Sequence, residues 1–167
     1  MNQPVIKSLH FWILICSACA LLSTFFCEYC LHLSPCPLCL MQRLCIEMLV
    51  FMSLVFFVAP QWSTQIWYRV LYLLVIVLGV VLAARQLWLQ LFSTHDSGAC
   101  IPGIEALLAY FSWDVILKML FWGSNDCATV AWRFLGLPLS AWSMLYFVVI
   151  FVLFICDIIY KEFLQKP

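Results

Sequence analysis

Four long apolar stretches dominate this chain, at about 11–31, 39–59, 70–91 and 139–160. Each is close to the ~20 residues that a helix rising 1.5 Å per residue needs to cross a bilayer core. Alternation at period two is absent, which argues against membrane-spanning strands. Composition agrees: the chain is 66% hydrophobic and 10% charged, whereas a soluble domain carries about 25% charged residues. The expected fold class is an all-α membrane protein, a four-transmembrane-helix bundle forming one integral membrane domain over residues 1–167. A net charge of zero gives no footing for nucleic acid or another polyanionic partner.

The first stretch is read as a retained span. No small-x-small cleavage site precedes a polar start, and the apolar run is long for a signal peptide. Lys and Arg near the span ends set the expected orientation. Lys7, Arg69, Lys161 and Lys166 place both termini and the short middle loop in the cytoplasm. The opposite side carries a brief first loop and a long second one, about 92–138, where Asp96, Glu105, Asp114 and Asp126 face Lys118 and Arg133. Within that loop, 104–122 is apolar but interrupted by Asp114 and Lys118, four apart and so on one helix face. It reads as an interfacial helix, or equally as a packed amphipathic one.

This orientation sorts the ten cysteines. Cys36, Cys39, Cys100 and Cys127 lie outside the cytoplasm, an even number in a compartment that permits disulfides. Cys27 and Cys30 mark the outer end of the first span, and Cys16, Cys19, Cys45 and Cys156 fall within the bilayer.

The stretch CEYCLHLSPCPLC, residues 27–39, holds two C-x-x-C units. Four thiolates at this spacing could hold zinc, but helix and Pro-containing turn would have to wrap one ion at a membrane rim. No metal site is expected. Haem attachment needs C-x-x-C-H, and Leu31 and Leu40 stand where the His belongs. The redox reading suits Cys36 and Cys39. Pro37 is favoured at a first helical position, which makes Cys36 the N-cap and puts Cys39 in the first turn. Free N–H groups and the helix dipole there favour a thiolate, the species that exchanges disulfides.

Arg43 lies four after Cys39 on the same face, and a charge entering the bilayer usually has a task. It could stabilise a Cys39 thiolate, bond a ligand carbonyl, or snorkel to the headgroups with Glu47 as partner. Cys100 and Cys127 could form a structural staple. Their small, polar neighbours suit an exposed disulfide that exchanges with another protein.

The residues Pro35-Cys36-Pro37-Leu38-Cys39 with Gln42-Arg43, then Cys100, then Asp126-Cys127-Ala128, Trp132 and Phe134-Leu135-Gly136-Leu137 resemble the DsbB family of the bacterial inner membrane. The resemblance covers nearly the whole chain. It implies a protein-disulfide:quinone oxidoreductase. A periplasmic DsbA-like protein would attack a Cys100–Cys127 disulfide at Cys100. Cys127 would exchange with Cys36, and Cys39 would pass electrons to ubiquinone or menaquinone. Arg43 would bind the quinone, with Arg85 lining the same region. The known DsbA couple lies near −120 mV, so a glutathione-like acceptor near −200 mV would run uphill by about 3.7 kcal/mol, and a more oxidising sink is required. The other six cysteines would be packing residues, with a Cys27–Cys30 side disulfide the open alternative. A quinone reductase of the vitamin K epoxide reductase type, a structural bundle and a metal carrier are the competing classes. Nothing suggests an obligate oligomer, so a monomer is expected.

Overall fold

A computed structural model describes residues 3–32, 36–59, 61, 65–92, 112–122, 127 and 133–164. Four long helices carry the fold: α1 (Gln3–Tyr29), α2 (Pro37–Val58), α3 (Ile66–Phe92) and α5 (Leu139–Leu164). A short helix α4 (Trp113–Trp122) and a two-residue hairpin, β1 (Arg133–Phe134) with β2 (Leu137–Pro138), precede α5. Each long helix contains an apolar segment of spanning length. The expected spans differ from these helices only in their ends, by a turn or two.

The boundaries follow from local chemistry. Cys36 is the extended N-cap of α2, and Pro37 occupies its first turn without sacrificing a hydrogen bond. At the far end the N–H of Ala59 still bonds Val55 O, and Pro60 follows. The α1 helix closes through Cys30 N–H to Phe26 O at 2.9 Å, and the chain then turns at His32, where φ is +50°.

The bundle closes as a ring: α1 packs on α2 and α5, and α3 packs on α2 and α5. Buried positions on α3 are Tyr72, Ile76, Gly79, Ala83 and Gln86, with Leu82 beside them. Their alternating steps of three and four are the seam of a left-handed bundle. On α2 the same rhythm gives Leu38, Gln42, Cys45, Leu49, Met52 and Phe56. Gly79 lies directly under the ring of fully buried Phe147 on α5, so a side chain there would collide with the ring. Small residues at such crossings let membrane helices approach closely. Phe51, Trp67, Leu74 and Val81 face outward. In a soluble protein this would be a large apolar patch, whereas a spanning bundle turns it to lipid.

Polar side chains inside the bundle are paired across helices. His10 on α1 and Asp157 on α5 approach to 3.7 Å and are almost fully buried. Ser53 on α2 and Tyr72 on α3 share a hydrogen bond of 3.1 Å, and Tyr146 on α5 donates to Ser17 on α1 at 2.7 Å. Tyr72 also stacks on Phe154 at 4.7 Å.

The hairpin was not anticipated, since sequence patterning gave no strands. Leu135 and Gly136 both have positive φ, the signature of a tight I′ turn. Trp142 Nε1–H donates to Phe134 O at 3.2 Å and ties the hairpin to α5.

Candidate active site

The candidate site lies at the start of α2. Cys36 and Cys39 are joined by a disulfide. Cys36 Sγ accepts the backbone N–H of Cys39 at 3.2 Å, so the N-cap interaction is made by a disulfide sulfur. Leu38 between them is fully buried and anchors the helix end in the core.

Beneath the disulfide lies a pair of buried amides. Gln86 on α3 donates from Nε2 to Cys39 Sγ at 3.2 Å and approaches Cys36 Sγ at 3.7 Å. Its Oε1 accepts from Gln42 Nε2 at 2.7 Å. Both glutamines are 5% exposed. Sequence reasoning missed Gln86, whose Nε2 lies against both sulfurs. Its signal was present: it is a polar residue on the buried seam of an otherwise apolar helix. Arg85, singled out instead, is half-buried and turned about 100° around α3 from Gln86.

Arg43 sits one turn below Cys39 on α2. It pairs with Glu28 on α1 and with Glu47 one turn further along α2, at 3.4 Å. Its guanidinium lies over the ring of Phe25, 3.8 Å from the centroid. The Arg43–Glu47 contact that the snorkelling alternative called for is present, and α1 adds a second carboxylate and an aromatic face. Among the described residues, the side chain that donates a hydrogen bond to Cys39 Sγ is Gln86.

Cys127 corrects an expectation. It is 1% exposed, in the same core as Leu38, rather than presented on an open turn. The helix α4 packs against α2, and for Cys127 burial in the core outweighs the turn-like character of the neighbouring sequence. Cys100 lies outside the described residues. On α4, Asp114 and Lys118 are both exposed, with Trp113, Leu117 and Phe121 also exposed. Cys16, Cys19, Cys27, Cys30, Cys45 and Cys156 are free thiols; Cys45 is buried in the core and Cys16 packs against it. Among the described residues no three His, Cys, Asp or Glu side chains converge as metal donors.

The sequence pattern of the family described as disulfide bond formation protein DsbB matches residues 7–156. The chain belongs to the DsbB family. It is 36% identical to disulfide bond formation protein B of Hahella chejuensis over 126 residues, covering 74% of this chain and 76% of that one. It is 35% identical to the Marinobacter nauticus protein of the same name over 141 residues, 84% and 83% of the two chains. For the Azoarcus protein the identity is 38% over 116 residues, 69% of each. As a DsbB-family protein the chain is a multi-pass membrane disulfide oxidase, and a disulfide joins its Cys36 and Cys39.

Proposed function

We propose that this protein reoxidises a periplasmic DsbA-like thiol oxidoreductase through two cysteine pairs and delivers the electrons to a membrane quinone, ubiquinone or menaquinone. The observation that carries the reading is the Cys36–Cys39 disulfide at the N-terminus of α2, with Arg43 one turn below it. Both termini lie in the cytoplasm and the cysteine end faces the periplasm, in keeping with the placement of Lys and Arg.

The electrons move by thiol–disulfide exchange. A thiolate of the partner attacks Cys100 Sγ, the Cys100–Cys127 bond breaks, and the electron pair leaves on Cys127 Sγ. That thiolate attacks Cys36 Sγ, the Cys36–Cys39 bond breaks, and Cys39 Sγ leaves as a thiolate. Helix N-terminal N–H groups favour the anion at this place. A second partner thiol resolves the mixed disulfide and releases Cys100 Sγ as a thiolate. That thiolate attacks Cys127 Sγ, re-forms Cys100–Cys127 and frees Cys36 Sγ. The Cys36–Cys39 dithiol then closes to its disulfide as two electrons and two protons leave for the acceptor.

The residues around Arg43 suit a quinone. A quinone when bound supplies a two-electron, two-proton sink. It asks the protein for an apolar wall and a donor to a carbonyl oxygen. Arg43 has five N–H donors, and its contacts with the two carboxylates employ Nη1 and Nε. Phe25 supplies an aromatic face, and Leu44 and Met48 on the next turns of α2 are exposed toward lipid. Arg43 would hold the headgroup within reach of Cys39. Arg85 would line the approach from α3.

The test is thiol-dependent quinone reduction by the purified protein with a reduced DsbA-like partner. Wild type should turn over, and Cys39→Ser should not. Comparing ubiquinone with menaquinone identifies the acceptor. Equal turnover in wild type and Cys39→Ser would overturn the assignment of the electron exit.

A further inference from the structure

The amide pair under the disulfide is joined in one sense only. Gln42 gives an N–H to Gln86 Oε1, and Gln86 thereby presents its Nε2 to the sulfurs. An amide turned the other way would aim its oxygen at sulfur and leave the Gln42 N–H facing an N–H. Both side chains are buried at the head of an apolar bundle, where an unmade amide hydrogen bond is costly.

We propose that this Gln42–Gln86 relay is a thiolate-holding device that tunes the Cys36–Cys39 couple. In it Gln86 is a catalytic residue donating to Cys39 Sγ, and Gln42 is a positioning residue that fixes which edge of Gln86 faces sulfur. The inference rests on the reading of Cys36 and Cys39 as the active pair. When an incoming thiolate bonds to Cys36 Sγ, the Cys36–Cys39 bond breaks and its electron pair goes to Cys39 Sγ. A disulfide sulfur is a weak acceptor and a thiolate is a strong one. The same N–H therefore stabilises the cleaved state more than the starting state, which is what assists a leaving group. The amide carries no charge and cannot itself neutralise the thiolate. The anion stays reactive toward an electron acceptor, whereas a buried lysine could take its negative charge into an ion pair.

The experiment is a redox titration of the full-length, quinone-free protein in detergent, for wild type, Gln86→Met, Gln86→Glu and Gln42→Met. The occupancy of the Cys36–Cys39 disulfide is read by alkylation and peptide mass spectrometry. Losing one charge-assisted hydrogen bond should shift the couple about tenfold toward the disulfide, about 30 mV more reducing. Gln86→Glu keeps the shape but places a carboxylate by the sulfur, and should shift it further in the same direction. Gln42→Met should shift it part of the way, since Gln86 remains but is free to turn. Alkylation of Cys39 in the reduced protein at neutral pH should slow in the same order. A Cys36–Cys39 equilibrium constant within twofold of wild type in Gln86→Met would overturn the proposal, because methionine keeps a space-filling role and removes only the N–H donor. Turnover that survives Cys39→Ser would instead overturn the reading beneath it, whatever the glutamine variants do.

Discussion

Arg43 and Phe25 meet across the α1–α2 interface, the guanidinium carbon 3.8 Å from the ring centroid. The contact holds an intramembrane cation flat against an aromatic face while Glu28 and Glu47 take two of its N–H edges. A lysine would keep the charge and lose both the planar stacking and the forked donor set. If Arg43 binds a quinone carbonyl, Arg43→Lys should raise the quinone KM about tenfold, the worth of one hydrogen bond to a charged group, with a smaller change in kcat. Steady-state kinetics over a range of quinone concentrations checks this. A fall in kcat at unchanged KM would place Arg43 in the electron-transfer step instead.

His10 and Asp157 join the first and last long helices in the half of the bundle away from the disulfide. Removing one member of a buried, interacting polar pair leaves the other without its partner in an apolar core, whereas replacing both by apolar residues can be neutral. Asp157→Leu should therefore lower the thermal midpoint in detergent markedly. His10→Phe with Asp157→Leu should recover most of the loss. The double-mutant cycle separates the pair's coupling from the packing of each side chain.

Gly79 lies where α3 packs directly on the Phe147 ring of α5. Any Cβ there meets the Phe147 ring, and neither element can yield without moving the core. Gly79→Val should destabilise the bundle by ~1–3 kcal/mol through overpacking. Phe147→Leu in the same chain should restore part of that by vacating the ring. Thermal unfolding of the single and double variants in one detergent reads both effects.

The scaffold was readable because lipid imposes simple demands. Runs near twenty apolar residues gave the spans, and Pro37 beside Cys36 gave the N-cap from local geometry alone. Arg43 and Glu47 are four apart on one helix, so their pairing was legible. Glu28 and Gln86 were not. They meet Arg43 and Cys39 from other helices, 15 and 47 positions away in the chain, and no local pattern encodes which helix faces which. Only the interruption of an apolar seam by Gln86 hinted at a polar task. Cys127 misled for the opposite reason: its neighbours describe a turn, while its burial is decided by the bundle it folds against. The hairpin was hidden because Leu135 is not a residue that announces a left-handed position.

That turn gives a prediction of the opposite sign. Leu135 has φ of +52°, and Gly136 has φ of +82° with nothing within 4 Å of where a Cβ would stand. The leucine side chain is 78% exposed, so it gains little by burial there. An L-residue in this region gives up roughly 1–2 kcal/mol, and asparagine less. Leu135→Asn should then stabilise the hairpin by ~0.5–1 kcal/mol, since Asn-Gly is the preferred I′ pair. Gly136→Ala should cost about as much for purely conformational reasons, there being no atom to collide with. Global melting would register neither change if the hairpin opens locally. The proper readout is hydrogen exchange at the β1 and β2 amides, slower in Leu135→Asn and faster in Gly136→Ala. Unchanged exchange in both would mean that Trp142, bonded to Phe134 O, and not the turn, holds the hairpin on α5.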